Sequence, residues 1–159
     1  MLDRARHVEL LVLDVDGVLT DGSLFFGPEG EALKKFHVRD GAGIKAVLEA
    51  GIAVAVISSR SSRTVDTRMR ELGVTEVLQG CSDKLEALGG ILPRLRVDLG
   101  RVACMGDDVP DVPMMQRAGF SVAVNDAHEA AKSVAHYCTA ARGGHGAVRE
   151  VCDLLLMAR

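Results

Sequence analysis

The chain has 159 residues, of which 48% are apolar, so it has the length of one domain and enough apolar side chains for one core. Its formal net charge of −3 gives no broad basic field, and with no Trp, one Tyr and four Phe it has few aromatic side chains on which bases could stack, so we expect no nucleic-acid binding. Its apolar runs are shorter than the roughly 18 to 20 residues of a membrane span, and its first residues lack the pattern of a secretory leader, so we expect a cytoplasmic protein that is not bound to membranes.

The first strand is predicted near residues 9–14, where an apolar run ends in Asp14-Val15-Asp16-Gly17. Side chains alternate along a strand, so Asp14 and Asp16 would lie on the same side at its carboxyl end. Two close carboxylates repel each other, but a divalent cation such as Mg²⁺, which prefers oxygen ligands, removes that repulsion. The segment therefore predicts a metal site. The alternative is a turn in which both aspartates cap backbone amides.

A β-hairpin is predicted next, as an insertion at about residues 21–38 before the first long helix. Its two apolar strands flank the turn sequence Gly-Pro-Glu-Gly at 27–30. Three apolar side chains on this insertion, Leu24, Phe25 and Phe26, suit either an interface with another subunit or packing on their own domain.

The rest of the chain alternates between apolar runs and helical patterns. Strands are predicted near 52–58, 74–78, 101–105 and 121–124, and helices near 41–50, 62–72, 83–97, 111–118, 127–134 and 146–158. The expected helix caps are Ser62 and Ser82 at N-termini and Gly51, Gly73 and Gly119 at C-termini. This alternation predicts an α/β fold, a doubly wound, Rossmann-like and mostly parallel sheet with right-handed crossovers. We expect a single domain over residues 1–159, with the small inserted hairpin and no cap domain.

Further polar side chains follow a later strand or open a later helix. They are Ser58, Ser59, Lys84, Asp107, Asp108 and Asp111. In an open parallel sheet the carboxyl ends of the strands share one edge, so these groups can converge on Asp14 and Asp16. Taken alone, a Ser after a strand is more often a helix cap, and a Lys on a helix is more often solvated. Their order and shared position at strand ends carry the prediction.

These motifs, in this order, resemble the four motifs of the haloacid dehalogenase superfamily. The resemblance extends to its small capless phosphatases of 3-deoxy-D-manno-octulosonate 8-phosphate, and it spans about residues 7–158. The segments that carry it are 14–22, 36–41, 79–84, 106–108 and 143–150. It implies a Mg²⁺-dependent phosphatase of lipopolysaccharide biosynthesis that forms an aspartyl-phosphate intermediate. It also implies a homotetramer in which hairpins meet and subunits complete one another's sites.

The resemblance also implies a role for each acidic residue. Asp14 would be the nucleophile, and Asp16 would protonate the leaving alkoxide and then deprotonate the attacking water. Mg²⁺ would be held by the Asp14 carboxylate, the Asp16 backbone carbonyl and Asp107. Asp108 and Asp111 would lie behind these ligands, and Asp111 has the alternative of orienting a lysine through an ion pair.

The remaining site residues would bind the substrate. The phosphoryl oxygens would accept hydrogen bonds from Ser58, from the backbone amide of Ser59 and from the ammonium of Lys84. Lys84 would also be a catalytic residue. Arg39 and Arg60 would bind a sugar-acid carboxylate, because a guanidinium matches the planar fork of a carboxylate. For Arg39 the alternative is a salt bridge to a nearby aspartate.

Three other functions fit parts of the same pattern. An enzyme of the same group that acts on a nine-carbon 2-keto-3-deoxy sugar acid 9-phosphate would have identical catalytic residues. A phosphate-accepting receiver domain also combines carboxylates, a hydroxyl and a lysine, but on different strands. A tetramerising domain with a relic site would have lost some of the residues that are intact here.

Overall fold

The computed structural model describes residues 1–159. The strands are β1 (Leu10–Leu13), β2 (Phe25–Gly27), β3 (Gly30–Leu33), β4 (Ala53–Ile57), β5 (Glu76–Leu78), β6 (Val102–Gly106), β7 (Phe120–Ala123) and β8 (Tyr137–Cys138). The α-helices are α1 (Leu2–Ala5), α2 (Val38–Glu49), α3 (Arg63–Leu72), α4 (Lys84–Leu95), α5 (Val112–Arg117), α6 (Glu129–Val134) and α7 (Ala147–Met157). None of these helices has the length and apolar composition that crossing a membrane requires.

Six strands form one parallel sheet in the order β5-β4-β1-β6-β7-β8. β1 is central, and its Leu10 pairs with Ala53 of β4 and with Val102 of β6. All four residues of β1 are buried. Since successive side chains point to opposite faces, this burial means that both faces of the sheet are covered. The predicted doubly wound α/β fold is confirmed.

The parallel arrangement places the ends of three strands side by side. β1 ends just before Asp14, β4 just before Ser58, and β6 at Gly106 just before Asp107. Because β4 and β6 flank β1 in the same direction, the three polar residues emerge at one edge of the sheet. The fold thus builds its polar site from positions 14, 58 and 107.

The inserted hairpin forms as predicted, from β2 and β3 in antiparallel pairing. Its apolar side chains do not pack on their own domain, since Leu24 is 46% exposed, Phe25 41% and Phe26 62%. Leu33 on the second strand is also exposed. Of the two alternatives for these side chains, packing on their own domain is therefore wrong within the single chain.

Several details differ from the sequence predictions. α1 and β8 were not predicted, because each is too short to show a period. The predicted cap at Ser82 is wrong, since Asp83 caps α4 by accepting a hydrogen bond from the N–H of Glu86. Gly73 is a left-handed C-cap as expected, but Gly119 is not a left-handed cap. It is a glycine because a Cβ there would overlap the carbonyl of Gly100.

Candidate active site

Asp14 and Asp16 lie at the carboxyl end of β1, where the chain turns through residues 15–19. Asp14 is buried and Asp16 half-buried. Gly17 has a φ of +101°, and a Cβ at this position would overlap the carboxylate of Asp107. Glycine therefore allows the turn to approach that carboxylate closely. Both predicted aspartates line the same polar cavity.

Lys84 is the first residue of α4, and its ammonium joins two carboxylates. Its Nζ lies 2.6 Å from Oδ1 of Asp14 and 2.6 Å from Oδ1 of Asp111. Burial acts to lower the pKa of Lys84, but the two carboxylates outweigh burial and raise it. Lys84 is therefore a charged group inside the site and not a solvated side chain on a helix surface.

Asp111 forms an ion pair with Lys84 at 2.6 Å, which is the contact expected for one of the two roles left open by the sequence. Its second carboxylate oxygen accepts hydrogen bonds from the backbone N–H groups of Asp107 and Asp108, at 3.0 and 3.2 Å. Both oxygens of Asp111 are thus engaged. The Asp108 carboxylate accepts a hydrogen bond from the N–H of Val109 at 2.7 Å and caps the short turn that carries Asp111.

Asp14 and Asp107 carry more negative charge than the single ammonium balances. Burial, followed by the charge of Asp111, raises the pKa of Asp14 to about 6 against the opposing effect of Lys84. Burial, followed by the charges of Asp14 and Asp111, raises the pKa of Asp107 to about 8. Carboxylate oxygens of Asp14, Asp107 and Asp111 lie within 4.8 Å of one another. Since Asp111 is occupied, Asp14 and Asp107 are the pair that fits a divalent cation with oxygen ligands.

Ser58 and Ser59 follow β4 and line the same cavity. Ser58 is buried, and its hydroxyl accepts a hydrogen bond from the N–H of Arg60 at 3.2 Å. Helix α3 begins only at Arg63, with Ser62 as its N-cap residue. Ser58 is therefore not a helix cap, and its hydroxyl remains at the cavity wall.

Arg60 also lines the cavity, where it meets charged residues of the hairpin that the sequence did not identify. Its Nη2 lies 3.4 Å from Oε2 of Glu31, and its Nε lies 3.9 Å from Oδ2 of Asp16. Lys34 donates to Oδ1 of Asp16 at 2.5 Å. Glu31 and Lys34 were missed because their only signal is charge on a short apolar hairpin, with no motif around it.

Arg39 does not reach this cavity within the chain. It lies exposed in the first turn of α2 and makes no side-chain ion pair. The aspartates that were its alternative partners are engaged elsewhere. Asp21 pairs with Lys35 at 2.6 Å, and Asp40 accepts a hydrogen bond from the N–H of Arg149 at 2.9 Å. The structure thus separates Arg39 from the other predicted site residues.

The cavity has a volume of about 210 Å³, and no apolar side chain of the core reaches its wall. Its lining residues are Asp14, Asp16, Ser58, Ser59, Arg60, Lys84, Asp107, Asp108, Pro110 and Asp111. Nine of the residues predicted from the sequence are in this set. The arrangement joins a carboxylate pair suited to a cation with a lysine, a hydroxyl and a guanidinium suited to an anion.

Comparison with known proteins gives consistent similarities. Residues 73–150 match the family of haloacid dehalogenase-like hydrolases. The chain is 46% identical to the 3-deoxy-D-manno-octulosonate 8-phosphate phosphatase of Yersinia pestis and 48% identical to that of Escherichia coli K12, over 100% of this chain and 85% of each relative. A crystal structure of the phosphatase of that name from Moraxella catarrhalis, in complex with magnesium ion, phosphate ion and KDO, is 43% identical, with a TM-score of 0.97 over 99% of this chain and 91% of that chain.

Proposed function

Because the chain belongs to the 3-deoxy-D-manno-octulosonate 8-phosphate phosphatases of the haloacid dehalogenase-like hydrolases, we propose that it hydrolyses this sugar phosphate to the free sugar acid and phosphate, a step that feeds lipopolysaccharide assembly. One observation carries the proposal. Lys84 lies between Asp14 and Asp111 at the floor of a polar cavity, 2.6 Å from each. A buried ammonium held between two carboxylates beside a hydroxyl is suited to receive a phosphoryl group next to a carboxylate nucleophile.

Asp14 would attack the phosphorus atom as the bond to the sugar oxygen breaks, leaving an aspartyl-phosphate. Its position at the end of the central strand, with burial and an ion pair to Lys84, holds it rigidly for in-line attack. The Ser58 hydroxyl, the Ser59 backbone amide and the Lys84 ammonium would donate to the phosphoryl oxygens, where negative charge is concentrated.

Asp16 would transfer the protons. It would protonate the sugar alkoxide as that group leaves, and it would then take a proton from the water that hydrolyses the aspartyl-phosphate. Its half-buried side chain lines the same cavity as Asp14, which supports this role.

The carboxylates of Asp14 and Asp107, with the backbone carbonyl of Asp16, would hold Mg²⁺. The raised pKa values of both carboxyls support this assignment, because they mark carboxylates that burial has left without enough positive charge. When bound, Mg²⁺ neutralises the carboxylates and the phosphoryl oxygens, so that an anion can approach another anion.

The sugar-acid carboxylate would bind Arg60, which already lies at the cavity mouth with a half-exposed guanidinium. Arg39 would contribute only to the cavity of a neighbouring subunit. The open cavity and the exposed apolar residues Phe25 and Phe26 of the hairpin support a homotetramer in which hairpins meet. Light scattering tests this assembly, and a fully active monomer would contradict it.

The test of function is phosphate release from the eight-carbon 8-phosphate and the nine-carbon 9-phosphate, measured side by side with Mg²⁺ and with chelator. Asp14→Asn tests the nucleophile, and Asp98→Asn is a matched control because Asp98 is exposed and its side chain caps nothing. We expect Mg²⁺-dependent release from the eight-carbon substrate, lost in Asp14→Asn and kept in Asp98→Asn. Preference for the nine-carbon substrate would assign the chain to the related activity, and no turnover of either would refute the proposal.

A further inference from the structure

The carboxylate of Asp16 is held differently from those of Asp14 and Asp111. Asp14 and Asp111 are fixed by Lys84, and Asp111 also accepts two backbone N–H groups. Asp16 accepts a single side-chain hydrogen bond, from Lys34 at 2.5 Å, and no backbone N–H reaches its carboxylate. Apart from the Arg60 guanidinium, which lies 3.9 Å from Oδ2, the orientation of Asp16 therefore depends on one residue of the inserted hairpin.

The side chain of Lys34 is buried, and its ammonium is held in a fixed position. It follows β3 on a hairpin whose apolar side chains are mostly exposed, yet only 2% of the Lys34 side chain is exposed. Glu31 lies on β3, and its Oε2 is 3.0 Å from Nζ of Lys34. Glu31 is itself fixed by the Ser62 hydroxyl at 2.6 Å, at the start of α3. The contacts from Ser62 through Glu31 and Lys34 to Asp16 thus link the hairpin, the helix and the turn after β1.

The charges in this group are balanced. Lys34 and Arg60 supply two positive charges, and Asp16 and Glu31 supply two negative charges, all within ion-pair distance of a neighbour. Glu31 pairs with the ammonium of Lys34 and holds it in place. The same ammonium can therefore orient the carboxylate of Asp16. A single substitution in the group leaves an unbalanced charge in a half-buried place.

We propose that Lys34 is a positioning residue that sets the orientation of Asp16 for proton transfer, with Glu31 holding Lys34 in place. This inference rests on the proposed function, because it assigns Asp16 the proton-transfer role. It gives the hairpin a part in the chemistry of its own chain, separate from any part in assembly. Since a displacement of about 1 Å in a reacting group can lower a rate about 100-fold, losing the donor should matter even though Lys34 does not touch the phosphoryl group.

The test compares Lys34→Met on two substrates that differ in their need for a proton. The sugar phosphate leaves as an alkoxide that Asp16 must protonate, whereas p-nitrophenyl phosphate leaves as a stabilised phenolate that departs without one. We expect kcat/KM to fall about 100-fold for the sugar phosphate and less than about fivefold for p-nitrophenyl phosphate. In an Asp16→Asn background, Lys34→Met should change kcat/KM less than about twofold.

Lys35→Met is the matched control, since it removes the adjacent lysine, whose half-exposed side chain pairs with Asp21. We expect it to leave the ratio of the two kcat/KM values unchanged. If Lys34→Met fails to fold by circular dichroism, Glu31→Gln replaces it, because the amide keeps the shape of the side chain but holds Lys34 less firmly. It should then lower the sugar-phosphate kcat/KM about five- to tenfold and leave the aryl value unchanged.

An equal loss on both substrates, or no loss on either, would overturn the inference. Failure of the proposed function is a separate result, because it appears as absent turnover of the sugar phosphate by the unmodified protein. In that case, the sugar phosphate is replaced by any alkyl phosphate that the unmodified protein hydrolyses, and its kcat/KM is compared with that for p-nitrophenyl phosphate.

Discussion

The carboxylate pair of Asp14 and Asp107 predicts that stability depends on pH and on Mg²⁺ together. In the folded chain burial raises both pKa values, to about 6 and about 8, from 3.8. A carboxyl with a higher pKa in the folded than in the unfolded chain holds its proton more tightly when folded. Its stabilising effect is complete at pH values below 3.8 and is lost as the pH rises through the folded pKa. The chelated protein should therefore lose stability between about pH 4 and pH 8.

The size of the effect follows from proton counting. The folded chain keeps on Asp107 about one proton at pH 6 and about half of one at pH 8, whereas the unfolded chain has already released it. One proton corresponds to about 1.4 kcal/mol of unfolding free energy per pH unit, and with the falling occupancy this gives between about 2 and 3 kcal/mol over the two units. Asp107 is half-buried, and solvent screening lowers this to about 2 kcal/mol. Mg²⁺ replaces the proton, so the loss should disappear when the metal is saturating.

Urea denaturation at pH 6, 7 and 8, with chelator and with saturating Mg²⁺, measures this effect. The difference between the two series cancels the titration of groups away from the site. Asp107→Asn removes the titrating carboxyl and should make the chelated series nearly independent of pH over this range. Parallel series with and without Mg²⁺ in the unmodified protein would refute the reasoning.

Three further substitutions test other parts of the site. Lys84→Met leaves two carboxylates without their ammonium and removes a donor to phosphate, so phosphate-release assays should show kcat lowered at least about 100-fold. Arg60→Lys loses the planar fork, and KM should rise about tenfold for the sugar-acid phosphate but stay constant for p-nitrophenyl phosphate. Gly143→Ala places a Cβ against the carbonyl of Gly17, and urea denaturation should show a loss of about 1 to 3 kcal/mol. Gly89→Ala, a helical position with open space, should be neutral or stabilising, and an equal loss there would contradict the steric explanation.

The sequence predicted the sheet and most of the cavity because both depend on local signals. A parallel strand covered on both faces is a continuous apolar run, and the polar residue that ends it marks the edge where strands meet. Asp14, Ser58 and Asp107 each follow such a run. Lys84 lacks this signal, and it was found only through its place in the order of motifs.

The remaining features depend on contacts between distant segments. Lys34 reaches Asp16 because the hairpin folds back over the turn after β1, and no local period encodes that approach. The end of the sheet at β8 was missed because two residues, Tyr137 and Cys138, cannot display alternation. The cap assigned to Gly119 was wrong for a similar reason, since the crowding by Gly100 comes from a segment remote in sequence.

The composition of the cavity wall has a consequence for inhibitor chemistry. Apart from Pro110, the lining residues carry carboxylates, hydroxyls, an ammonium and a guanidinium, so affinity must come mainly from matched charge and hydrogen bonds. With the role proposed for Arg60, a competitive inhibitor would join a non-hydrolysable phosphate mimic, such as a phosphonate, to a carboxylate that can reach its guanidinium. Such a compound carries at least two negative charges near neutral pH, so it will cross a lipid bilayer poorly.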